Sequence, residues 1–204
     1  MEYHYPFTSE STLREKLGKA NLLTSRVEAA LELAKKAHRF QKRDQGNNYL
    51  EEHIYTIAAE VLGRYTNDPE LEDILILGIL HDVLEDDPSA TSEDIEKYFG
   101  RAMRENLGLL TKKPEDNTNE LSQEKKRAIT VKVVDQLRGR SRLAQIIRLE
   151  DRLNNLRSIK EANKPKYERY CEETKNIFIP FAKEYVPIYE PLLLAELKRL
   201  RTEE

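Results

Sequence analysis

The stretch ILILGILHDVLEDDP, Ile74–Pro88, decides the fold of this chain. It overlaps a longer apolar segment, Leu71–Leu84, which exceeds the length of an ordinary strand and has one glycine as its only turn signal. The segment predicts a central and mostly buried helix, which Pro88 ends. His81 and Asp82 directly follow the apolar run, where burying an ionisable side chain is costly unless the side chain is paired or binds a metal.

Apolar residues at helical spacing continue along almost the whole chain. One amphipathic helix is predicted to start at a capping box formed by Ser25 and Glu28. Thr91 and Asp94 are predicted to cap another, which Gly100 closes in the left-handed conformation. The remaining predicted helices are Ser11–Lys19, a helix from His53, Arg101–Thr111, Lys125–Leu137, Leu143–Ile159, Tyr167–Tyr185 with Pro180 inside it, and a helix after Pro187.

Two polar segments interrupt the helical pattern. Gln41–Glu52 carries a Gly-Asn-Asn run that favours turns and predicts a loop. Lys113–Lys126 has no apolar periodicity and predicts a surface excursion, compatible with a lid. No segment alternates as a half-buried strand does, so the predicted fold class is all-α.

Composition limits the architecture and the location. The 204 residues suit one domain, predicted to have its motif-bearing core at about 25–160 and closing helices at 165–202. The longest apolar run is too short to span a bilayer and no secretory signal is visible, so we expect a cytoplasmic protein without a membrane partner. The net charge of −3 does not indicate nucleic-acid binding. A homo-oligomer is compatible with the sequence.

The acidic end of the central helix suits chemistry at a metal. Residues four apart share a helix face, so we expect His81 beside Glu85 and Asp82 beside Asp86. An imidazole and a carboxylate suit manganese, iron or zinc, but two ligands are too few to hold such an ion. With one cysteine in the chain and no CxxC pair, further ligands must be histidine or carboxylate from other helices.

His53 and Asp151 are the predicted additional ligands. His53 heads its helix, and Asp151 lies one turn beyond Ile147 on the edge of an apolar stripe, with Asn155 one turn further. Helix bundles commonly assemble metal sites from several helices in this way. Each residue also has a simpler interpretation, in which His53 is a hydrogen-bonded helix-end residue and Asp151 belongs to a surface ion-pair network.

Several motifs, in order along the chain, resemble those of the RelA/SpoT-type HD-domain hydrolases. AHRFQKRDQGNNYLEEH (37–53) resembles their opening motif and ILHDVLEDD (79–87) their HD motif with its Glu-Asp pair. IIRLEDRLNNLRSI (146–159) resembles their closing helix, while TSEDIEKYFG and LLTKK lie between them as in that family. The resemblance covers about 29–159 and implies an HD-domain helical bundle.

The resemblance also implies an activity and residue roles. It implies a small, stand-alone hydrolase that removes the 3′-pyrophosphate from the guanosine nucleotides ppGpp and pppGpp with one Mn²⁺ ion. The implied metal ligands are His53, His81, Asp82 and Asp151, and Glu85 and Asp86 would orient or activate the attacking water. The implied or candidate substrate-binding residues are Arg43, which would pack on guanine, Lys112, Arg148, Asn155 and Ser158.

One departure from the family pattern keeps other functions open. Asp44 stands where the family has a basic residue, replacing attraction for a phosphate with repulsion. An HD phosphohydrolase acting on NADPH or a deoxynucleotide is therefore an alternative. A catalytically silent, nucleotide-sensing domain is a third hypothesis, although such a sensor would not need a water-activating pair.

Overall fold

The sequence folds into helices wherever apolar residues recur at helical spacing, as the computed structural model of the protein shows for residues 7–43, 46–112, 121–159 and 164–202. Within these ranges there is no strand, and the nearest approach to one is an isolated bridge between Lys42 and Asn48. The predicted all-α class is confirmed. The chain forms two compact units, Met1–Thr111 and Lys112–Glu204; the single domain over 1–204 stays a prediction.

The first unit is built around a buried helix. Its described helices are α1 (Glu10–Lys19), α2 (Ser25–His38), a π-helical turn (Leu50–Ile54), α3 (Tyr55–Arg64), α4 (Leu71–Leu80), α5 (Val83–Asp86), α6 (Ser92–Phe99) and α7 (Arg101–Leu110). Helix α4 packs against α2, α3 and α7, and its apolar residues from Ile74 to Leu80 have no exposed surface. The predicted burial of this segment is therefore confirmed.

The prediction of one continuous helix over Leu71–Leu84 is wrong. Helix α4 ends at Leu80, and α5 begins after Asp82, which occupies its N-cap position. The imidazole Nδ1 of His81 lies 2.8 Å from the carbonyl oxygen of Gly78, the acceptor that the Asp82 amide would use if the helix continued. A side chain that competes for a helix carbonyl favours such an interruption. The break separates the apolar run from the acidic turn.

The predicted loop over Gln41–Glu52 is three residues too long. The helix begins at Leu50, where the side-chain oxygen of Asn48 accepts a hydrogen bond from the Leu50 amide at 2.9 Å. Its first turn is π-helical, a local form that recurs at functional sites. Consequently His53 lies inside this turn rather than heading the helix.

Helix capping follows the sequence with one shift. The hydroxyl of Thr24, not Ser25, caps α2 by accepting from the Val27 amide at 3.2 Å, so the predicted capping box at Ser25 is wrong by one residue. Thr91 accepts from the Asp94 amide at 3.1 Å, as predicted. Gly100 has φ +90° and ψ 165°, so its φ is positive but its ψ is extended rather than left-handed helical.

The second unit contains α8 (Gln123–Leu137), α9 (Arg142–Ser158), α10 (Lys164–Glu173), a π-helical turn (Thr174–Phe178), α11 (Ile179–Tyr185) and α12 (Tyr189–Thr202). The predicted helix over Tyr167–Tyr185 is divided by this π-helical turn just before Pro180, which has no amide hydrogen to donate. Helix α8 begins within the predicted Lys113–Lys126 excursion, and residues 113–120 lie outside the described part of the chain. No helix in the described ranges is both long and apolar enough to cross a bilayer.

Candidate metal centre

His81 presents one ring nitrogen to the centre of the first unit. Its Nδ1 lies 2.8 Å from the Gly78 carbonyl oxygen, which accepts only, so Nδ1 carries the proton. In the neutral ring the lone pair is then on Nε2, the nitrogen that faces His53 and Asp82. A backbone hydrogen bond that fixes the other ring nitrogen in this way is typical of metal-binding histidines.

Three ligand atoms converge at this point. The Nε2 atoms of His53 and His81 are 3.2 Å apart, and Oδ2 of Asp82 lies 3.4 Å from the first and 3.2 Å from the second. Both imidazoles are buried, and the carboxylate is partly exposed. This set is a possible metal-binding group among the described residues.

The spacing fits a small divalent ion. Ligand atoms bound at about 2.0–2.2 Å around one ion lie roughly 3.0–3.5 Å from each other, which is the separation observed here. The donor set of two imidazoles and a carboxylate suits manganese, iron or zinc.

Protonation at the centre also favours a cation. Burial, together with the positive charge of Arg43, lowers the pKa of His53 below its ordinary value, so the ring is neutral and able to bind a metal. Burial alone would raise the pKa of Asp82, but the neighbouring imidazoles of His81 and His53 hold it well below its usual range. Asp82 is therefore an ionised carboxylate.

Tyr49 is a site residue that sequence reasoning missed. Its hydroxyl donates a short hydrogen bond to Oδ2 of Asp82, the oxygen that faces both histidines. Burial and the negative charge of Asp82 raise the pKa of Tyr49 well above its ordinary value, so the hydroxyl keeps its proton. The ring also lies between those of His38 and His53, at centroid distances of 5.0 and 5.1 Å. Tyr49 thus orients Asp82.

The predicted water-activating pair lies on the turn that follows Asp82. The amides of Glu85 and Asp86 both donate to the Asp82 carbonyl oxygen at 3.0 Å, so the backbone fixes their position relative to the ligand. Both side chains are half-buried. The Oδ2 atom of Asp86 accepts a hydrogen bond from Nε2 of Gln41 at 3.1 Å. Gln41 is a second residue that sequence reasoning missed.

Arg43 belongs to the same part of the first unit. Its guanidinium lies 5.7 Å from the centroid of the Tyr49 ring, and its Nε is 4.0 Å from the carboxylate of Glu52. Arg43 therefore places a cation close enough to His53 to lower the pKa of its imidazole. Asp44 lies outside the described residues.

The other predicted site residues belong to the second unit. The carboxylate of Asp151 is 3.3 Å from Nη1 of Arg148, and it also accepts a hydrogen bond from the side-chain amide of Asn155. Arg148 is buried rather than solvated. The hydroxyl of Ser158 donates to main-chain carbonyl oxygens of its own helix, and Lys112 is half-buried. The role of Asp151 as fourth ligand stays a prediction.

Comparison with known families identifies one match over most of the chain. The family profile described as HD domain matches residues 30–185. That range includes the ligand set and its neighbours described above.

Curated relatives are similar over about three quarters of the chain. A putative chloroplastic GTP diphosphokinase of Arabidopsis thaliana is 32% identical over 168 residues, 77% of this chain and 18% of that protein. The bifunctional (p)ppGpp synthase/hydrolase SpoT of Escherichia coli K12 is 31% identical over 160 residues, 77% of this chain and 21% of that protein. The chain spans about a fifth of the length of these relatives.

A solved structure shares the fold. It comes from work titled "A metazoan ortholog of SpoT hydrolyzes ppGpp and plays a role in starvation responses", with a TM-score of 0.68 and 23% sequence identity. The alignment covers 87% of this chain and 96% of that one. At this identity the likeness shows the helical fold.

Proposed function

This chain belongs to the HD-domain family, and we propose that it hydrolyses the 3′-pyrophosphate of the guanosine nucleotides ppGpp and pppGpp. The observation that carries the proposal is the convergence of His53 Nε2, His81 Nε2 and Asp82 Oδ2 within 3.4 Å of one another. Relatives whose names state (p)ppGpp synthesis and hydrolysis or a 3′-pyrophosphohydrolase activity support this choice of substrate.

The proposed reaction is a hydrolysis with a simple balance. The oxygen of one water forms a bond to the phosphorus that carries the 3′-oxygen, and the bond between that phosphorus and the 3′-oxygen breaks. A water proton passes to a carboxylate, and the departing 3′-oxygen takes up a proton, so the products are GDP or GTP and pyrophosphate. A bound divalent ion, proposed to be Mn²⁺, lowers the pKa of water and offsets phosphoryl charge.

Asp86 and Glu85 are the proposed carboxylates that steer the water. They lie one turn beyond Asp82, and a carboxylate there can accept a proton from a water held at the ligand set. Asp151 is proposed as the fourth ligand. The proposed nucleotide contacts are Arg43, Lys112, Arg148, Asn155 and Ser158. The substrate is a free nucleotide, and the proposed location is the cytoplasm.

The proposal is tested by incubating the pure protein with ppGpp and Mn²⁺ and following GDP and pyrophosphate. Asp82→Asn should abolish turnover because it removes the ionised ligand. Asp87→Asn is the matched control, since the Asp87 carboxylate instead holds the hydroxyl and amide of Ser89 at 2.7 and 2.8 Å. This control should retain turnover.

The same assay decides between substrates. A panel containing pppGpp, NADPH and deoxynucleotides, read by phosphate and pyrophosphate release, is run beside ppGpp. A metal-loaded protein that leaves ppGpp intact but cleaves another nucleotide would overturn the guanosine proposal while retaining hydrolysis. A protein that binds nucleotides and cleaves none would favour the sensing hypothesis.

A further inference from the structure

A directed chain of hydrogen bonds ends on Asp86. Nδ1 of His38 lies 2.7 Å from Oε1 of Gln41, and Nε2 of Gln41 donates to Oδ2 of Asp86 at 3.1 Å. The same Oδ2 atom lies 3.5 Å from Nδ1 of His38. These three side chains therefore meet around a single oxygen of the carboxylate that is proposed to steer the water.

The direction of the chain follows from the chemistry of its members. An ionised carboxylate only accepts hydrogen bonds, so the Gln41 group facing Asp86 must be the amide nitrogen. The Gln41 oxygen then faces His38 and also only accepts, which requires the proton of a neutral imidazole to be on Nδ1. Each contact is satisfied by this one arrangement.

The backbone holds both members in place. The amide of Gln41 donates to the His38 carbonyl oxygen at 3.0 Å, and the amide of Tyr49 donates to the Gln41 carbonyl oxygen at 3.3 Å. One loop segment thus presents Gln41 to Asp86 and Tyr49 to Asp82. The carboxylates of Asp82 and Asp86 are thus each held by an uncharged side chain from this segment.

Burial of His38 argues for a positional role. The ring is 1% exposed, and its Nε2 atom has no hydrogen-bond partner among the described residues. An unsatisfied buried polar atom is destabilising, and an apolar side chain of similar size would avoid that cost. The useful part of this ring is its Nδ1 proton, which faces Gln41 and Asp86.

We propose that His38 and Gln41 are positioning residues that fix the Asp86 carboxylate for its work on the attacking water. This inference rests on the proposed function, in which Asp86 steers that water. In the hydrogen bonds described, neither residue contacts the ligand atoms of His53 or His81. The chain of hydrogen bonds from His38 through Gln41 to Asp86, here called the relay, therefore acts on the carboxylate rather than on the metal. Loss of the relay lets the carboxylate rotate away from the position in which it accepts a proton.

The first two variants replace the side-chain amide of Gln41 with a thioether or with a carboxylate. Gln41→Met, similar in size but unable to donate, should lower kcat roughly 10- to 100-fold with KM within about twofold, because a misplaced base forfeits part of its contribution. Gln41→Glu should lower kcat further, since it places a second carboxylate against Asp86. Both variants should bind metal as the parent does.

Two variants of His38 distinguish its role as a hydrogen-bond donor from its role in packing. Asn carries an amide close to the place of the imidazole Nδ1, so His38→Asn can still donate, whereas His38→Leu fills the space without a donor. We expect kcat of His38→Asn to lie closer to the parent than that of His38→Leu. Gln145→Met is the matched control, because it removes another buried glutamine amide, bonded to the Leu137 carbonyl oxygen at 2.9 Å. It should lower the melting temperature without lowering kcat per bound metal.

Rates are measured per bound metal ion on ppGpp and, in parallel, on the simple phosphodiester bis(4-nitrophenyl) phosphate. The inference is overturned if Gln41→Met and His38→Leu lose stability but keep the parent kcat. A parent that cleaves the diester but not ppGpp overturns the proposed nucleotide substrate, and the relay is then judged on the diester. A parent inactive on both overturns both proposals.

Discussion

Two regions of the molecule bury charged and polar groups, and they do so in opposite ways. In the first unit, His53, His81 and Asp82 aim lone pairs at one point. In the second unit, the fully buried carboxylate of Glu173 accepts from Arg152 at 2.8 Å and from Arg169 at 3.1 Å. The first group could hold a metal ion, whereas the second contains its own cations.

The second region pairs a buried carboxylate with two arginines, and other side chains surround the pair. Thr130 lies 3.3 Å from a Glu173 oxygen, and the guanidinium carbon of Arg152 lies 4.0 Å from the centroid of the Phe178 ring and 4.3 Å from that of Tyr170. Burial lowers the pKa of Arg152, but an arginine starts so far above neutrality that it stays charged. This cluster stabilises the packing of its unit, and we assign it no chemistry.

The comparison teaches what distinguishes a candidate site from a structural ion pair. Burial alone does not, because both regions are buried. The difference lies in what the buried atoms face: cationic donors meet the carboxylate of Glu173, whereas the possible ligand atoms of His53, His81 and Asp82 converge on one another. Substitutions in the first region should therefore affect metal and turnover, while those in the second should affect stability.

The largest expected effect follows from removing one ligand nitrogen. His81→Asn keeps a donor near the Gly78 carbonyl oxygen but removes Nε2, so the apo protein should melt close to the apo parent. Metal content should fall from one ion per chain to a small fraction. Without the metal ion the transition state loses several kcal/mol of stabilisation, which should lower the rate of hydrolysis at least about 10³-fold. Metal analysis and turnover assays measure the two effects. A variant that keeps the parental metal content would contradict the assignment of His81 as a metal ligand.

The next effect is on stability. Glu173→Gln leaves Arg152 buried without its anion, which should lower the free energy of unfolding by about 3–5 kcal/mol in urea titrations. Glu172→Gln is the matched control, because its partner Arg127 is partly exposed and the pair contributes no more than about 1 kcal/mol. Equal losses in the two variants would show that burial of the pair is unimportant.

A smaller effect is expected at the oxygen of Asp82. Tyr49→Phe removes the hydroxyl that orients this carboxylate and should weaken metal binding roughly 10- to 100-fold, with the fold retained. Titration of Mn²⁺ into the apo protein measures the affinity. Tyr98→Phe serves as the control, since Tyr98 is largely exposed. This variant should bind metal as the parent does. An unchanged affinity in Tyr49→Phe would remove Tyr49 from the site.

The smallest effect concerns an exposed ion pair. Nε of Arg101 lies 2.7 Å from the Glu105 carboxylate, as short as the buried contact of Glu173, but both side chains are largely exposed. Arg101→Gln should leave the urea midpoint unchanged within error, because water and salt screen this pair. A loss comparable to that of Glu173→Gln would mean that distance, and not burial, sets the strength.

Much of the fold was predictable because apolar periodicity alone specifies the helices. The interruption at His81 was not, since a side-chain hydrogen bond to the Gly78 carbonyl oxygen produces it. The π-helical turn before Tyr55 was missed for a similar reason: its polar residues resemble a loop, although two of them, Glu52 and His53, are buried by tertiary packing.

The candidate site divides in the same way. His81 and Asp82 were predictable because they directly follow a buried apolar run, and His53 because it precedes the apolar face of the next predicted helix. Tyr49 and Gln41 carry no such signal; only the folded loop brings them to Asp82 and Asp86. Asp151 has the right residue type and helical position, and its role as a ligand stays a prediction.

The most direct measurement is the nitrogen coupling of bound Mn²⁺ by pulsed electron paramagnetic resonance. The account predicts one ion per chain with two imidazole nitrogens coupled to it, and the loss of one coupling in His53→Gln. A protein that binds no Mn²⁺, or binds it with no nitrogen coupling, would contradict the account.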